Sequence, residues 1–443
     1  MKNMKNNIII ARNSSPLQGT LNIPGDKSIS HRALMLGAIT IGETVITGLL
    51  EGDDVQHTAS ALRCFGVKMR RESYGKWHIN GVGIGGLMSP NKLIDVGNSG
   101  TSARLLCGLI SGHGFSSMLT GDYSLCSRPM VRVIEPLTEM GATFYPSDGD
   151  RLPMTIIGSD NLMPISYTLP VASAQVKSAI LLAGLHAPGA TCVIEPRPTR
   201  DHTERMLKYF GADIVVEEMD LGNKVTVIGQ PELLPTLVTV PADPSSAAFP
   251  VVAALLVKGS QIKLPGVCKN PTRIGVYTTL LEMGASLEWK NERQMGGETV
   301  ADLYVKYSEL SGITVPADRA PSMIDEYPVL AMAAACASGS SVFYGVGELR
   351  HKESDRIAAI VSGLTECGIS VEVDGDCLII HGSTTEPIGG VTINALMDHR
   401  IAMSFLVLGL KSKEAIKIDD GSSIYTSFPN FIEIMRGIGA DIS

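Results

Sequence analysis

The chain has 443 residues, long for a single hydrophobic core, so two domains are the default expectation. Forty-five acidic against 37 basic side chains leave a formal charge of −8, which argues against a nucleic-acid surface and makes any cationic cluster a local, informative feature. Eight cysteines without a C-x-x-C pair, a disulfide framework or zinc spacing read as reduced, mostly buried thiols. The leader MKNMKNNIIIARNSS has too short an apolar run for a signal peptide, and PVLAMAAACA at 328–337 is too short to span a bilayer. A soluble, cytoplasmic protein is expected.

The first informative element is PGDKSISHRAL at 24–34. Pro24 and Gly25 break the preceding chain, Asp26 or Ser28 can cap, and Ala33, Leu34, Leu36 and Ala38 supply a buried helix face. Lys27 and Arg32 oppose the helix dipole at about 0.3–1 kcal/mol each on a surface. Their presence makes sense if an anion is shared between them and the helix N–H groups; the alternative is a solvated basic turn. Asp26 stands where a Walker A loop requires Gly.

Further along, a helix ending in Gly before a strand recurs six times, at Gly66, Gly141, Gly211, Gly284, Gly368 and Gly439, spaced 70 to 84 residues apart. In phase with it runs a second, almost wholly apolar helix: SISHRALMLGAI, NSGTSARLLCGLI, SAQVKSAILLAGL, DPSSAAFPVVAALLVKG, MIDEYPVLAMAAACASG and MDHRIAMSFLVLGL. Helices apolar all round are buried, whereas the first type carries charge and belongs nearer the surface. Strand runs LNIPG, MTIIG, VTVIG, LYVKY and CLIIHG lie between them. Buried helices argue against a TIM barrel, whose helices face outward. The expected architecture is α/β, with three repeats per globule, parallel inner helices and outer sheets. Crossings near residues 24–26 and 240–246 give domains of 1–24 with 244–443, and 25–243. Two such globules facing each other would line a cleft with positive helix ends.

The inner helices start with Lys27, Ser28 and Arg32; Asn98, Gly100 and Thr101; Ser173, Ala174 and Gln175; Asp325 and Glu326; and Asp398, His399 and Arg400. Intervening loops add Arg128, Arg200, Lys352, Glu353 and Arg356. Guanidiniums suit phosphate and carboxylate oxygens, Lys can move a proton, and Asp325 and Glu353 are candidate acids or bases. Gly100 either permits a tight turn or lets a ligand approach the backbone. His31, His202 and His399 lack metal spacing and read as packing or supporting groups. Cys126 is a candidate nucleophile by position and a buried thiol by residue type.

PGDKSISHRAL, GNSGTSARLL, GDYSLCSRPM, SAQVKSAILLAGL, PTRDHTE, DEYPVLA, ELRHKESDR, DHRIAM and TSFP, in this order across nearly the whole chain, resemble the 5-enolpyruvylshikimate-3-phosphate synthase family. The resemblance implies two domains of three βαβαββ units, an inside-out α/β barrel arrangement, closing on shikimate 3-phosphate and phosphoenolpyruvate at an interdomain cleft. It implies Lys27, Ser28, Arg32, Ser173, Ala174, Gln175, Arg200, Asp325 and Lys352 on shikimate 3-phosphate. Lys27, Gly100, Arg128, Gln175, Glu353, Arg356 and Arg400 would surround phosphoenolpyruvate, with proton transfer shared among Lys27, Asp325 and Glu353. It implies neither metal nor organic cofactor, and glyphosate as an inhibitor at the phosphoenolpyruvate site. A monomer without a protein partner is expected because the inner helices absorb the apolar surface.

One departure is Thr426-Ser427 before Phe428-Pro429, where some members carry Lys before Thr-Phe-Pro; the resemblance therefore does not carry over that one cationic phosphoenolpyruvate contact. The related UDP-N-acetylglucosamine enolpyruvyl transferases have four residues between a reactive Cys and Arg-Pro, whereas Ser127 alone separates Cys126 from Arg128. A nucleotide-dependent phosphoryl-transfer enzyme lacks its phosphate loop and magnesium cage here. A non-catalytic anion-binding protein would bind phosphates without releasing any.

Overall fold

A computed structural model describes residues 7–443; the first six residues of the leader lie outside the described residues. The chain divides into two compact units, one made of residues up to Pro24, Pro241–Gln294 and Thr299–Ser443, the other of Gly25–Val240 with Met295–Glu298. The second crossing thus falls at Val240/Pro241 rather than after residue 243. The reason is backbone pairing within the first of these units: Asp243 N donates to the Pro24 carbonyl at 2.9 Å and Ala242 N to that of Gly266 at 3.1 Å.

The Gly25–Val240 unit contains three four-stranded sheets. Ile94–Asp95 leads through the inner helix Gly100–Ser111 to the parallel strand Ser116–Thr120, then through the outer helix Val131–Glu139 to the hairpin Thr143–Ser147 and Arg151–Ile157. The spatial order is first, second, fourth, third. Ser166–Thr168, Ala190–Glu195, Asn223–Ile228 and Ile214–Glu218 repeat it around Ala174–Gly184 and His202–Tyr209. In the remaining sheet the first strand arrives last: Leu237–Thr239 pairs in parallel with Ile41–Thr47.

The other unit follows the same rule with one exception. Gln18–Thr20 is the first strand for Gln261–Cys268, Ser286–Met295 and Glu298–Lys306, and a full sheet of four forms from Thr314–Val315 to Cys377–Gly382. The last sheet is assembled from both ends of the chain. Ile416–Ile418 pairs with Thr392–Ile393 on one side and with Ile9–Ala11 on the other, and the residues after Gly439 pair on Ile9–Ala11 in turn, Ile10 N donating to the Ser443 carbonyl at 2.8 Å. The LNIPG run is likewise not a strand: the ladder covers Gln18–Thr20 and stops before Pro24, which has no N–H to donate.

The inner helices are buried as their composition requires; every residue of Pro244–Leu256 and Tyr327–Ala335 is buried. Gly100–Ser111 and Ala174–Gly184 touch through backbone, since a Cβ on Gly108 would lie 2.1 Å from the Ala179 carbonyl oxygen. The six repeat glycines all adopt positive φ, from 83° to 115°, directly after an outer helix. Gly284→Ala, at φ 95° with its nearest neighbour 3.6 Å away, would introduce strain without a clash. It is expected to lower stability by about 1–2 kcal/mol, measurable by denaturant titration; no change would contradict the cap assignment. Three cysteines are buried and five only partly, and none of the eight is in a disulfide. No helix among the described residues is long and apolar enough to cross a membrane.

Candidate active site

In the Gly25–Val240 unit, Asp26 caps the first inner helix by accepting from Ile29 N at 2.8 Å; Ser28 lies within the first turn. Lys27, the first helical residue, pairs with Asp54 at 3.0 Å, both mostly buried. Asp54 was not legible as a partner, because acids opening the outer helix Asp53–Cys64 are what its dipole favours. Arg32 is 4% exposed, donating to Thr203 Oγ1 at 2.7 Å, Ser178 Oγ at 2.6 Å and the Ser28 carbonyl at 3.0 Å. It is therefore not a solvated cation of a basic turn. His31 is buried against Thr58 Oγ1 at 2.7 Å; burial and then Lys27 and Arg32 hold its pKa well down, so it stays neutral.

Gly100 opens its helix with φ outside the left-handed region, which overturns the tight-turn reading. Close approach remains: an added Cβ would lie 2.7 Å from Arg104 Nη1 and 3.3 Å from Arg128 Nη1. Arg128 donates to Asn98 Oδ1 at 2.9 Å and Ser124 Oγ at 3.1 Å, following the short helix Tyr123–Cys126 capped by Asp122. Arg104, absent from the expected set, donates to Gln175 Oε1 at 3.1 Å and to the Pro129 carbonyl at 3.2 Å, while Gln175 donates to Thr101 Oγ1 at 3.1 Å. Its signal was present: it is the one cation inside the apolar run GTSARLLCGLI. Ser173 caps the helix that Ala174 opens. Arg200 lies in the loop before His202–Tyr209. The Cys126 thiol is partly buried and donates to the Gly121 carbonyl at 3.4 Å.

Asp201, His202 and Glu298 have donor atoms within 4.8 Å of one another. Arg205 occupies that cluster, 2.7 Å from Asp201 and 3.7 Å from Glu298, so it reads as an ion-pair network.

In the other unit the expected cations meet carboxylates. Arg356 is fully buried and donates to Asp398 at 2.8 and 3.3 Å, to Glu353 at 2.6 Å and to Asp325 at 3.3 Å. Burial works against its charge, but Asp398, Glu353 and Asp325 overcome this and hold its pKa above the usual range. Lys352 lies 3.8 Å from Asp325, and Arg400 donates to the Asp325 carbonyl at 3.1 Å. Asp398, missed as the hub, also caps the helix His399–Gly409 through Arg400 N. Ser427, at the departure in TSFP, bonds His399 Nε2 at 3.1 Å. A carboxylate such as Asp325, next to two cations, can accept a proton from a hydroxyl and return it.

The family EPSP synthase (3-phosphoshikimate 1-carboxyvinyltransferase) matches residues 11–435. A 3-phosphoshikimate 1-carboxyvinyltransferase of Paramagnetospirillum magneticum is 57% identical over 434 residues, 98% of this chain and 97% of the relative. One from Cereibacter sphaeroides is 56% identical over 433 residues, again covering 98% and 97%. The solved EPSP synthase of Acinetobacter baumannii superposes with a TM-score of 0.87 at 45% identity, covering 98% of this chain and 99% of that one. With cation-bearing helix starts in both units and similarity along almost its whole length, the chain belongs to the EPSP synthase (3-phosphoshikimate 1-carboxyvinyltransferase) family.

Proposed function

We propose that this chain transfers the enolpyruvyl group of phosphoenolpyruvate to the 5-hydroxyl of shikimate 3-phosphate, in the shikimate route to aromatic amino acids. The 5-hydroxyl gives up its proton as its oxygen bonds to C2 of phosphoenolpyruvate, while the C3 methylene takes a proton. The tetrahedral adduct then loses phosphate by C2–O cleavage, and removal of a C3 proton restores the double bond. Lys27, Asp325 and Glu353 carry these protons. Lys27, Ser28, Arg32, Ser173, Ala174, Gln175, Arg200, Asp325 and Lys352 hold shikimate 3-phosphate; Lys27, Gly100, Arg128, Gln175, Glu353, Arg356 and Arg400 hold phosphoenolpyruvate. The chemistry is acid–base and electrostatic throughout, and calls for no metal or organic cofactor. We infer that both units serve one cleft, that each has an inside-out arrangement with parallel inner helices, and that the enzyme works as a cytoplasmic monomer. The reading is supported by one observation: cations at helix starts and in the loops before them lie beside carboxylates, as in Lys27 with Asp54, which holds its ammonium, and Lys352 and Arg356 with Asp325, which can move a proton. Phosphate release from phosphoenolpyruvate should require shikimate 3-phosphate; release with UDP-N-acetylglucosamine or ATP in its place, and none with it, would overturn the reading.

Glyphosate is proposed to compete with phosphoenolpyruvate beside Gly100. Gly100→Ala pushes its Cβ against Arg104 and Arg128, narrowing the anion site from the helix start. Overpacking by one methyl costs ~1–3 kcal/mol, so glyphosate should weaken by about ten- to a hundredfold and phosphoenolpyruvate by less. Equal losses for both ligands in steady-state inhibition would contradict this.

A further inference from the structure

Lys177 is the one charged residue of the inner helix Ala174–Gly184 and is fully buried. An apolar side chain of similar volume would fill this position without desolvating a charge, so packing alone does not account for an ammonium here. Its contacts do. Lys177 Nζ meets both oxygens of Glu195, at 3.1 and 2.9 Å, and also the Glu204 carboxylate. Glu195 Oε2 in turn accepts from Thr199 N at 3.1 Å and Thr199 Oγ1 at 2.8 Å. At 2% exposure Glu195 is cut off from water, and these two bonds together with the Lys177 ammonium stand in place of solvent around its carboxylate. Glu204 is different. Its second oxygen has no hydrogen-bond partner, and burial raises its pKa against the opposing pull of Lys177. Burial likewise opposes charge on Lys177, and Glu204 and Glu195 overcome it, so the ammonium stays charged.

The residues beside this triad point the same way. Ser178 follows Lys177 and bonds Thr203, which precedes Glu204; both hydroxyls receive the Arg32 guanidinium. The triad therefore fixes the inner helix, the 199–200 loop and the helix His202–Tyr209 to one another. We propose that Lys177 is a positioning residue which, through Glu195 and Thr199, sets the placement of the adjacent Arg200 for the phosphate of the acceptor substrate. This rests on the reading of Arg200 as a phosphate ligand.

Three variants test it, each checked for folding by circular dichroism, with both Michaelis constants and kcat measured. Arg200→Ala tests the underlying reading and should raise KM for shikimate 3-phosphate. Thr199→Val removes one hydrogen bond to a charged group and should raise that KM by about tenfold, with kcat and KM for phosphoenolpyruvate within about twofold. Lys177→Met combined with Glu204→Gln should do the same, and neither change should add to Arg200→Ala. If the combined variant fails to fold, Thr199→Val decides. A raised KM in Arg200→Ala with an unchanged one in Thr199→Val overturns the role of Lys177 and leaves Arg200 as ligand. An unchanged KM in Arg200→Ala overturns the ligand reading itself. Equal loss across kcat and both KM values in Thr199→Val marks the triad as structural only, and also overturns the proposal.

Discussion

Lys27→Met is expected to lower kcat by about 10²–10⁴-fold while the protein stays folded. Met keeps much of the length and apolar stem of Lys but carries neither charge nor proton, and Lys27 sits at a helix start where an anion is favoured. Its ammonium is held 3.0 Å from Asp54. Removing it leaves a mostly buried carboxylate without its cation, so some stability should be lost as well. Asp54→Asn serves as the control: it relieves that carboxylate but keeps the ammonium, and should cost far less in kcat. Steady-state kinetics of both variants check this. A Lys27→Met enzyme within tenfold of the parent, or equal losses in the two variants, would remove Lys27 from the proton-transfer set.

Arg356→Met should destabilise its unit by about 3–5 kcal/mol. The guanidinium is fully buried among Asp398, Glu353 and Asp325, and Asp398 is itself fully buried, so losing the cation strands a charge that water cannot reach. For a unit of this size the melting temperature should fall by roughly 10 °C, read by calorimetry. Adding Asp398→Asn should recover part of the loss, since Asn keeps an acceptor for Arg400 N while removing the stranded charge. A single variant that melts with the parent would show that Arg356 does not offset the buried Asp398 charge.

Much of the architecture was legible in the sequence because it is repeated. A glycine suited to positive φ, following an amphipathic helix, is a local signal, and all six instances adopt that conformation. The buried helices were equally plain, since Pro244–Leu256 and Tyr327–Ala335 have no polar face to expose. What the sequence obscured was pairing at long range. Ile9–Ala11 joins strands near residue 416, and Leu237–Thr239 joins a strand near residue 45; neither three-residue run announces its partner. Strand LNIPG failed because alternating apolar residues also fit an extended segment whose Pro24 cannot donate. In the site, side chains at helix starts were found where they were expected. Their partners were not: Asp54 reads as an ordinary helix-start acid, Arg104 as an interruption of an apolar face, and Asp398 as a cap. Lys177 stood in a quoted motif, yet its two glutamates lie 18 and 27 positions away, on a strand end and an outer helix that sequence spacing does not bring together.

The central claim is that phosphate leaves by cleavage of the C2–O bond of phosphoenolpyruvate and not of its O–P bond. Phosphoenolpyruvate carrying oxygen-18 in the bridging position, incubated with shikimate 3-phosphate and the enzyme, tests this directly by mass spectrometry of the released phosphate. Enolpyruvyl transfer predicts that the label appears in the phosphate and that the acceptor gains an unlabelled ether oxygen from its own 5-hydroxyl. Unlabelled phosphate with the heavy oxygen retained in pyruvate would mean O–P cleavage, and would contradict the account.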